Sequence, residues 1–401
     1  MLAARPAPLA RTAAVPFALA LLTLLPLLVA SAPAHAQDTG SGAFVVTLGH
    51  DTIAVERFTR TSTTLTGDLV LRTPATRIVH YTATLGTHAR VTRMDVAVRH
   101  VGQATTTQTM TLRWSGDTAV QTITASGKTR TVRTAAPAGT APWLFPSYAL
   151  IEQAVRQALA ARQDSVTLPL IVLGGRGTFA TTIVRLTHDS VRTTTASGDS
   201  RLAMSPTGDL LGLVSPTSTE KVLVTRLPTL DVEAMARAFA RRDQAGHALG
   251  TLSPRDTVRA TVGGASLLVD YSRPAMRGRT IFGGIVPWGQ VWRTGANAAT
   301  GFTTSRGLTI NGVAVPAGSY TLWTLPSPNG WSLIINKQTG QWGTEYHADQ
   351  DLTRIPMQLS SVPSPAERFT IAIDPRGSDA GVLQMTWDTT RVSVQIAESA
   401  R

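Results

Sequence analysis

Between Ala43 and Thr134 the chain breaks into eight short segments in which apolar and polar side chains alternate: FVVTLG, DTIAVERFTRT, LTGDLVLRT, RIVHYTATLG, RVTRMDVAVRH, TQTMTLRWSG, DTAVQTITASG and KTRTVRTA. A period of two places every second residue on one side of an extended chain, so each segment predicts a strand with one buried and one wet face. Gly, Asp and Ser punctuate the segments, and Ser115-Gly116-Asp117 and Ser126-Gly127-Lys128 read as hairpin turns. Consecutive strands joined this way form an antiparallel meander.

Residues 135–146 interrupt the pattern with Pro137, Pro142, Pro146 and Gly139. Ser147 then caps a predicted helix whose apolar positions Ile151, Val155, Ala158 and Leu159 lie on one stripe, and that stripe needs a sheet to cover. Strand patterns resume at SVTLPLIVLG and continue to EKVLVTRL. A long antiparallel sheet with one helix inside its curve resembles, in element order, the open-barrel carriers of lipid and lipoprotein in the bacterial envelope. Asp231 opens a second helix, with acidic residues at its positive start, Arg237, Arg241 and Arg242 toward its end, and Gly246 to close it. From DTVRATV onward only strand patterns recur, and the economical reading is an antiparallel β-sandwich closed by a hairpin turning at Asp388-Thr389. The expected organisation is therefore mainly β: a curved antiparallel sheet with one packed helix over 37–230, a helical connector over 231–250 and a β-sandwich over 251–401.

A hydrophobic fraction of 43% and a charged fraction of 15% belong to a globular chain. The net charge of +12 is carried almost wholly by arginine, since Lys128, Lys221 and Lys337 are the only lysines. Arg57, Arg72, Arg93, Arg99 and Arg113 fall on the predicted wet face of the first sheet, where they could meet an anionic envelope surface. No basic cluster is interleaved with aromatic residues, which argues against nucleic acid. Residues 1–36 read as a signal peptide: Arg5 and Arg11 precede the apolar run from Val15 to Ala30, and Ala34-His35-Ala36 is a small-x-small cleavage site. The expectation is an exported, periplasmic or extracellular protein with no membrane span after cleavage. The chain has no cysteine, so neither a lipid-anchoring cysteine nor a disulfide framework is available.

The densest concentration of binding chemistry runs from Tyr271 to Asp351. Its centre, SRPAMRGRTIFGGIVPWGQVWRTGANAAT, sets arginine forks, indole rings and a carboxamide among glycines and prolines, the groups that grip planar or anionic ligands. SRP, GRTIFGG and VPWGQVWRTGAN are followed in order by LTINGVAVPAGSYTLWTLP, WSLIINKQTGQWG and ERFTIAID. Over about residues 255–396 this succession resembles the bacterial secreted family called domain of unknown function 2911, a β-rich exported domain without an established chemistry. The N-terminal region carries no such resemblance.

Arg273, Arg279 and Arg293 correspond to the SRP, GR and WRTGAN blocks of that family. Each either grips a carboxylate or phosphate, or pairs with Asp270, Asp349 or Asp351 and pins the loop. Asn297 offers an amide to a ligand or to its own turn. Trp288 and Trp292 flank the loop as a stacking wall or belong to the core, as other tryptophans of this region must. Glu345, His347, Asp349 and Asp351 alternate, so on an extended strand they would share one side and present a weak cation or acid/base site. No zinc, P-loop or serine-hydrolase motif is present, no cofactor is implied, and Gly174-Gly175-Arg176-Gly177 reads as a hairpin turn.

Three functions follow. The leading one is a binding or accessory protein that holds a small anionic or carbohydrate-like ligand at the Arg/Trp/Asn loop. A hydrolase or lyase would use Arg293 and Asn297 to stabilise an anion while His347 or a nearby carboxylate moves a proton. A structural or dimerisation module would use the loop only as a clasp. Intact-mass measurement of the protein recovered after export should begin at Gln37; a mature chain retaining residues 1–36 would refute the leader reading.

Overall fold

The computed structural model describes residues 40–217 and 221–399, so the predicted signal peptide lies outside the described residues. Among the described residues, fifteen strands form one sheet. β1 (Gly40–Leu48), β2 (Asp51–Arg60), β3 (Thr64–Leu71) and β4 (Arg77–Leu85) lead into β5 (Val91–His100), β6 (Thr106–Ser115), β7 (Thr118–Ala125) and β8 (Lys128–Ala135) as one meander. β9 (Ala141–Trp143) and helix α1 (Tyr148–Leu159) follow. A second meander runs through β10 (Ser165–Val172), β11 (Thr178–Thr187), β12 (Ser190–Thr195), β13 (Gly198–Met204), β14 (Leu210–Val214) and β15 (Val222–Leu227). The two join because β1 pairs with both β2 and β15, Val46 facing Ala54 on one side and Val224 on the other. All neighbours are antiparallel except β9 beside β10.

Adjacent strands rotate by roughly 20–25° relative to one another, so a sheet this wide coils. This one coils around α1. Its two ends meet through side chains instead of a strand ladder. The buried Gln121 of β7 donates to the carbonyls of Val172 (3.1 Å) and Gly175 (3.3 Å) and accepts the Gly174 N–H at 2.8 Å, and Arg130 of β8 donates to the Gly174 carbonyl at 3.0 Å. The glycine-rich run is thus the hairpin turn between β10 and β11, and it closes the coil.

The predicted cap of α1 is present, Ser147 Oγ accepting the Leu150 N–H at 3.3 Å. The helix is nevertheless buried well beyond one apolar stripe, with Glu152, Gln153 and Gln157 inside. Polar partners from the sheet make this tolerable, since a buried charge without partners is costly. Glu152 receives Arg60 from β2 and Arg226 from β15 (2.7 Å), together with the Leu210 N–H at 2.8 Å. Glu56, fully buried on β2, takes the N–H groups of Tyr148 (2.7 Å) and Ala149 (3.0 Å) on one oxygen and the hydroxyls of Ser147 (2.5 Å) and Tyr81 (2.7 Å) on the other. A carboxylate at a helix N-terminus also meets the positive end of the helix dipole. Tyr81 reaches it by lying over its cross-strand partner Gly67, where a side chain would come within 2.3 Å of the ring.

Helix α2 (Val232–Arg242) begins as expected, Asp231 accepting the Ala234 N–H at 2.9 Å, and Gly246 turns the chain away with φ 84°. The helix packs on the first sheet. Val232, Ala236 and Phe239 cover Val55, Val70 and Ile78 on the outer face of the first sheet, and Asp243 accepts the Thr76 N–H and hydroxyl at 2.9 and 2.6 Å. The expected cationic wet face is correspondingly altered. Arg72 is buried against the Phe239 ring, Arg99 pairs with Glu233 of α2, and Arg57 and Arg93 pair with Asp68 and Asp95.

The second sheet has its own core. It contains β16 (Arg255–Val262), β17 (Ala265–Ser272), β18 (Thr300–Thr304), β19 (Leu308–Ile310), β20 (Val313–Val315), β21 (Gly318–Leu325), β22 (Trp331–Asn336), β23 (Asp351–Arg376) and β24 (Ala380–Glu398). Their order is β16-β17-β18-β21-β22-β23-β24-β19-β20. The first part of β23 pairs with β22 and the rest with β24, so one long strand turns the corner that folds the sheet over Phe302, Trp331, Phe369 and Trp387. The hairpin expected at Asp388-Thr389 is not there. Asp388, at φ 54°, is an irregularity inside β24 opposite Ala366, and the chain turns instead at residues 377–379.

Burial raises the Glu56 carboxyl above its ordinary 4.5, with the hydrogen bonds from Ser147, Tyr81, Ala149 and Tyr148 opposing it. A carboxyl whose folded value is raised holds its proton more tightly in the folded state, so its full contribution is present below the unfolded value and is lost as pH rises through the folded one. Glu56→Gln has no proton to lose. Its stability deficit relative to wild type should therefore be largest at about pH 4 and narrow toward about pH 7 in chemical unfolding; a deficit that widens over this interval would contradict the assignment.

Candidate functional site

Residues 273–299 join β17 to β18 as a long loop held down at many points. Arg273 is a clamp: its guanidinium reaches Asp256 (3.0 Å), Thr370 Oγ1 (2.9 Å) and the Phe369 carbonyl (3.3 Å). The expected partner Asp270 is taken by Arg255. Arg277, buried and at φ 51°, pairs with Asp51 of the first sheet, while its carbonyl accepts the His50 N–H at 3.0 Å and its own N–H donates to Glu367 at 2.9 Å. Arg279 donates to the carbonyls of Met276 (2.9 Å) and Ala275 (2.6 Å). Trp292 exchanges two backbone hydrogen bonds with Thr324 and stacks on Trp387, centroids 5.8 Å apart.

Asn297 occupies the left-handed region at φ 61°, one that asparagine tolerates better than most side chains, and its carbonyl accepts the Gly343 N–H at 2.9 Å. Gly343 has no room for a side chain, because a Cβ there would lie 2.1 Å from Arg293 Cδ and 2.4 Å from the Asn297 carbonyl oxygen. The Trp342-Gly343 pair thus packs directly on the loop.

The loop lines a cavity of about 360 Å³ between the two sheets. Arg277, Arg279, Trp292, Arg293 and Asn297 face Ile53, Phe145 and Val222 of the first sheet's lobe, and among the described residues no carboxylate lines it. A larger hollow of about 540 Å³ lies within the curve of the first sheet, between α1 and strands β10 to β15. Its wall is chiefly apolar, with Trp143, Leu144, Ile151, Phe179 and Leu213, and the half-exposed Trp342 of the second lobe reaches it. Phe145 and Val222 belong to both linings, so a single layer of side chains separates the two spaces. A third cavity, of about 500 Å³, lies beside Arg60, Arg156, Arg185 and His188, where Arg60 and Arg156 are engaged by Glu152 and Asp209.

Of the residues singled out in the sequence, Arg279, Trp292, Arg293 and Asn297 share the seam cavity. Arg273 serves the fold from outside its lining. Trp288 is exposed against Phe282 and lines neither space. His347 is exposed and also outside both, its carbonyl accepting from Asn336 at 2.8 Å. The alternation of Glu345, His347, Asp349 and Asp351 does not create a shared face, because this stretch is a turn followed by the 3-10 helix Ala348–Gln350 instead of a strand. Glu345 accepts the Trp342 N–H at 3.3 Å, Asp349 the Gln350 amide at 3.0 Å, and Asp351 is held by Tyr346 (2.6 Å), Asn336 (2.9 Å) and Arg354 (2.9 Å). Burial, then Asp351, pushes the Tyr346 hydroxyl up to about 12. Among the described residues no group of three His, Asp or Glu side chains is placed to hold a metal ion. What the sequence did not disclose is the contribution of Trp143, Phe145 and Val222, which lie in a proline-rich break and a distant strand.

Residues 253–396 match the family model described as a protein of unknown function, DUF2911, and the N-terminal region has no family assignment. The sequence blocks that carried the resemblance lie within that span. No curated protein matches the chain. Solved structures similar to parts of it include two of unknown function. A DUF1089 family protein from Pseudomonas aeruginosa shares 11% identity over 40% of this chain and 89% of its own, with a TM-score of 0.30. A beta-barrel-like protein of domain of unknown function DUF1849 from Brucella abortus shares 12% over 47% of this chain and 94% of its own, with a TM-score of 0.32.

The Asp51–Arg277 pair is shielded from solvent, and removing one member leaves the other charge buried. Asp51→Ala should cost about 3–5 kcal/mol in urea unfolding, while Asp51→Asn with Arg277→Met together should cost clearly less than the sum of the single changes. Additive losses would show that the pair does not tie the loop to the first sheet.

Proposed function

We propose that this is an exported binding protein of the cell envelope whose ligand occupies the hollow of the first sheet beside the loop of residues 273–299. The observation that carries the reading is the apolar space of about 540 Å³ between α1 and the sheet, within the range of about 300–1,000 Å³ usual for small-molecule sites. Export is supported by the composition of residues 1–36. The expectation of a small anionic or carbohydrate-like ligand at the arginine loop is supported by the seam cavity, with Arg279, Arg293, Asn297 and Trp292 in its wall. The hydrolase or lyase reading has less support, since His347 stands outside that cavity. A clasp role is favoured for Arg273 and Arg277 by their ion pairs with Asp256 and Asp51, and it is compatible with binding by the rest of the loop.

A neutral, environment-sensitive naphthylamine fluorophore titrated into the protein should brighten and saturate. Thr193→Phe, which adds a ring to the hollow's wall on β12, should weaken that binding by about tenfold or more, equivalent to about 1.4 kcal/mol, with the unfolding midpoint little changed. Unaltered affinity in the variant, or no binding by wild type, would overturn the proposal.

A further inference from the structure

We infer that the outer face of the second meander docks on a bilayer that carries anionic phospholipid, a contact separate from the ligand site proposed above. The pairing register sets out a row of side chains across five strands. Val184 on β11 faces Arg192 on β12, Arg192 faces Arg201 on β13, Arg201 faces Val214 on β14, and Val214 faces Leu223 on β15. Neighbouring strands lie about 4.8 Å apart, so the row runs for about 19 Å. The alternate residues Val191, Leu202 and Leu213 are buried in the core, which fixes the row to the outside. Val214 and Leu223 are 47% and 48% exposed. Leu211 is the extra residue of the bulge where Ala203 faces Gly212 and Met204 faces Leu210, and it is also 48% exposed. The wet side of an antiparallel sheet ordinarily carries polar residues. Here three exposed aliphatic side chains stand beside two arginines.

Those arginines stand in an arrangement that an anion relieves, since like charges directly opposite on neighbouring strands repel. Among the described residues neither Arg192 nor Arg201 has an ion-pair partner, and Arg192 Nε is buried without a hydrogen-bond acceptor. Asp199, two residues before Arg201 on the same side of β13, is turned to the Thr194 hydroxyl at 2.7 Å, and Asp189 accepts the hydroxyl of Thr187. In the first meander, by contrast, Arg57, Arg93 and Arg99 are each matched by a carboxylate. The mixture of side chains selects the partner. A second copy of this face would set arginine against arginine, and a soluble polyanion offers nothing to Leu211, Val214 and Leu223. An anionic bilayer surface supplies phosphates for the guanidinium groups and an acyl boundary for the aliphatic side chains.

The test is co-sedimentation of the protein recovered after export with sucrose-loaded phosphatidylcholine vesicles, with and without phosphatidylglycerol. Binding should be about tenfold or more tighter where phosphatidylglycerol is present, and should weaken as salt rises. Arg192→Gln with Arg201→Gln should weaken it by about tenfold, and Leu211→Gln with Leu223→Gln by about fivefold, with urea-unfolding midpoints little changed because these side chains lie on the outside. Arg113→Gln removes a charge from the first meander and should leave binding within about twofold, which separates this face from net charge. Equal binding to the two kinds of vesicle, no binding to either, or an effect of Arg113→Gln as large as that of the arginine pair would overturn the proposal. Binding lost with the arginines and untouched by the leucine changes would assign the face to a soluble polyanion and overturn the membrane contact. None of these results bears on whether the fluorophore occupies the hollow, so the two readings fail independently.

Discussion

Everything in the first lobe depends on how helix α1 is accommodated inside a curled sheet. A helix end buried away from water leaves N–H groups that must find acceptors, and here Glu56 and Ser147 supply them. The middle of the helix carries a second carboxylate, Glu152, which is held by arginines from β2 and β15, strands on either side of β1. The helix is therefore tied by charge to the middle of the sheet, and the strands beyond are free to diverge from its other flank. The apolar hollow is the space they leave.

The architecture was legible because it is periodic. Alternation located the strands, Ser147 and Asp231 marked both helix starts, and Ser126-Gly127, both at positive φ, made the tight hairpin their residue types demand. The internal charges were not legible. Glu56 and Arg60 sit on the inward register of β2 with Ala54 and Phe58, yet within one strand an inward glutamate looks like a wet-face residue until its partners, about ninety residues away, are known. The 345–351 stretch failed for the opposite reason. Its alternation was real in sequence, but hydrogen bonds to Asn336 and Arg354 fold it into a turn, where alternation has no geometric meaning.

The arginine loop was recognisable as special without revealing that its members do different work. Arg273 and Arg277 are consumed in holding the loop to β16, β23 and the first sheet, and that fixation is what allows Arg279, Arg293 and Asn297 to face a cavity in defined positions. Rigid support for a small set of polar groups is a general requirement of binding sites. A quarter of this cavity's lining, namely Leu48, Ile53, Thr73, Pro74 and Phe145, comes from residues more than a hundred positions upstream, so composition of the loop alone could not show what it faces.

The closure of the first sheet has a mechanical consequence. Where a barrel is sealed by a complete ladder, widening it means breaking a whole row of backbone bonds. Here the two free margins are fastened by Gln121 and Arg130 gripping a single glycine-rich turn. The two edge strands, β8 and β9, are also consecutive in the chain, so the short connection through residues 136–140 and this one turn together hold the margins of an otherwise fully laddered sheet.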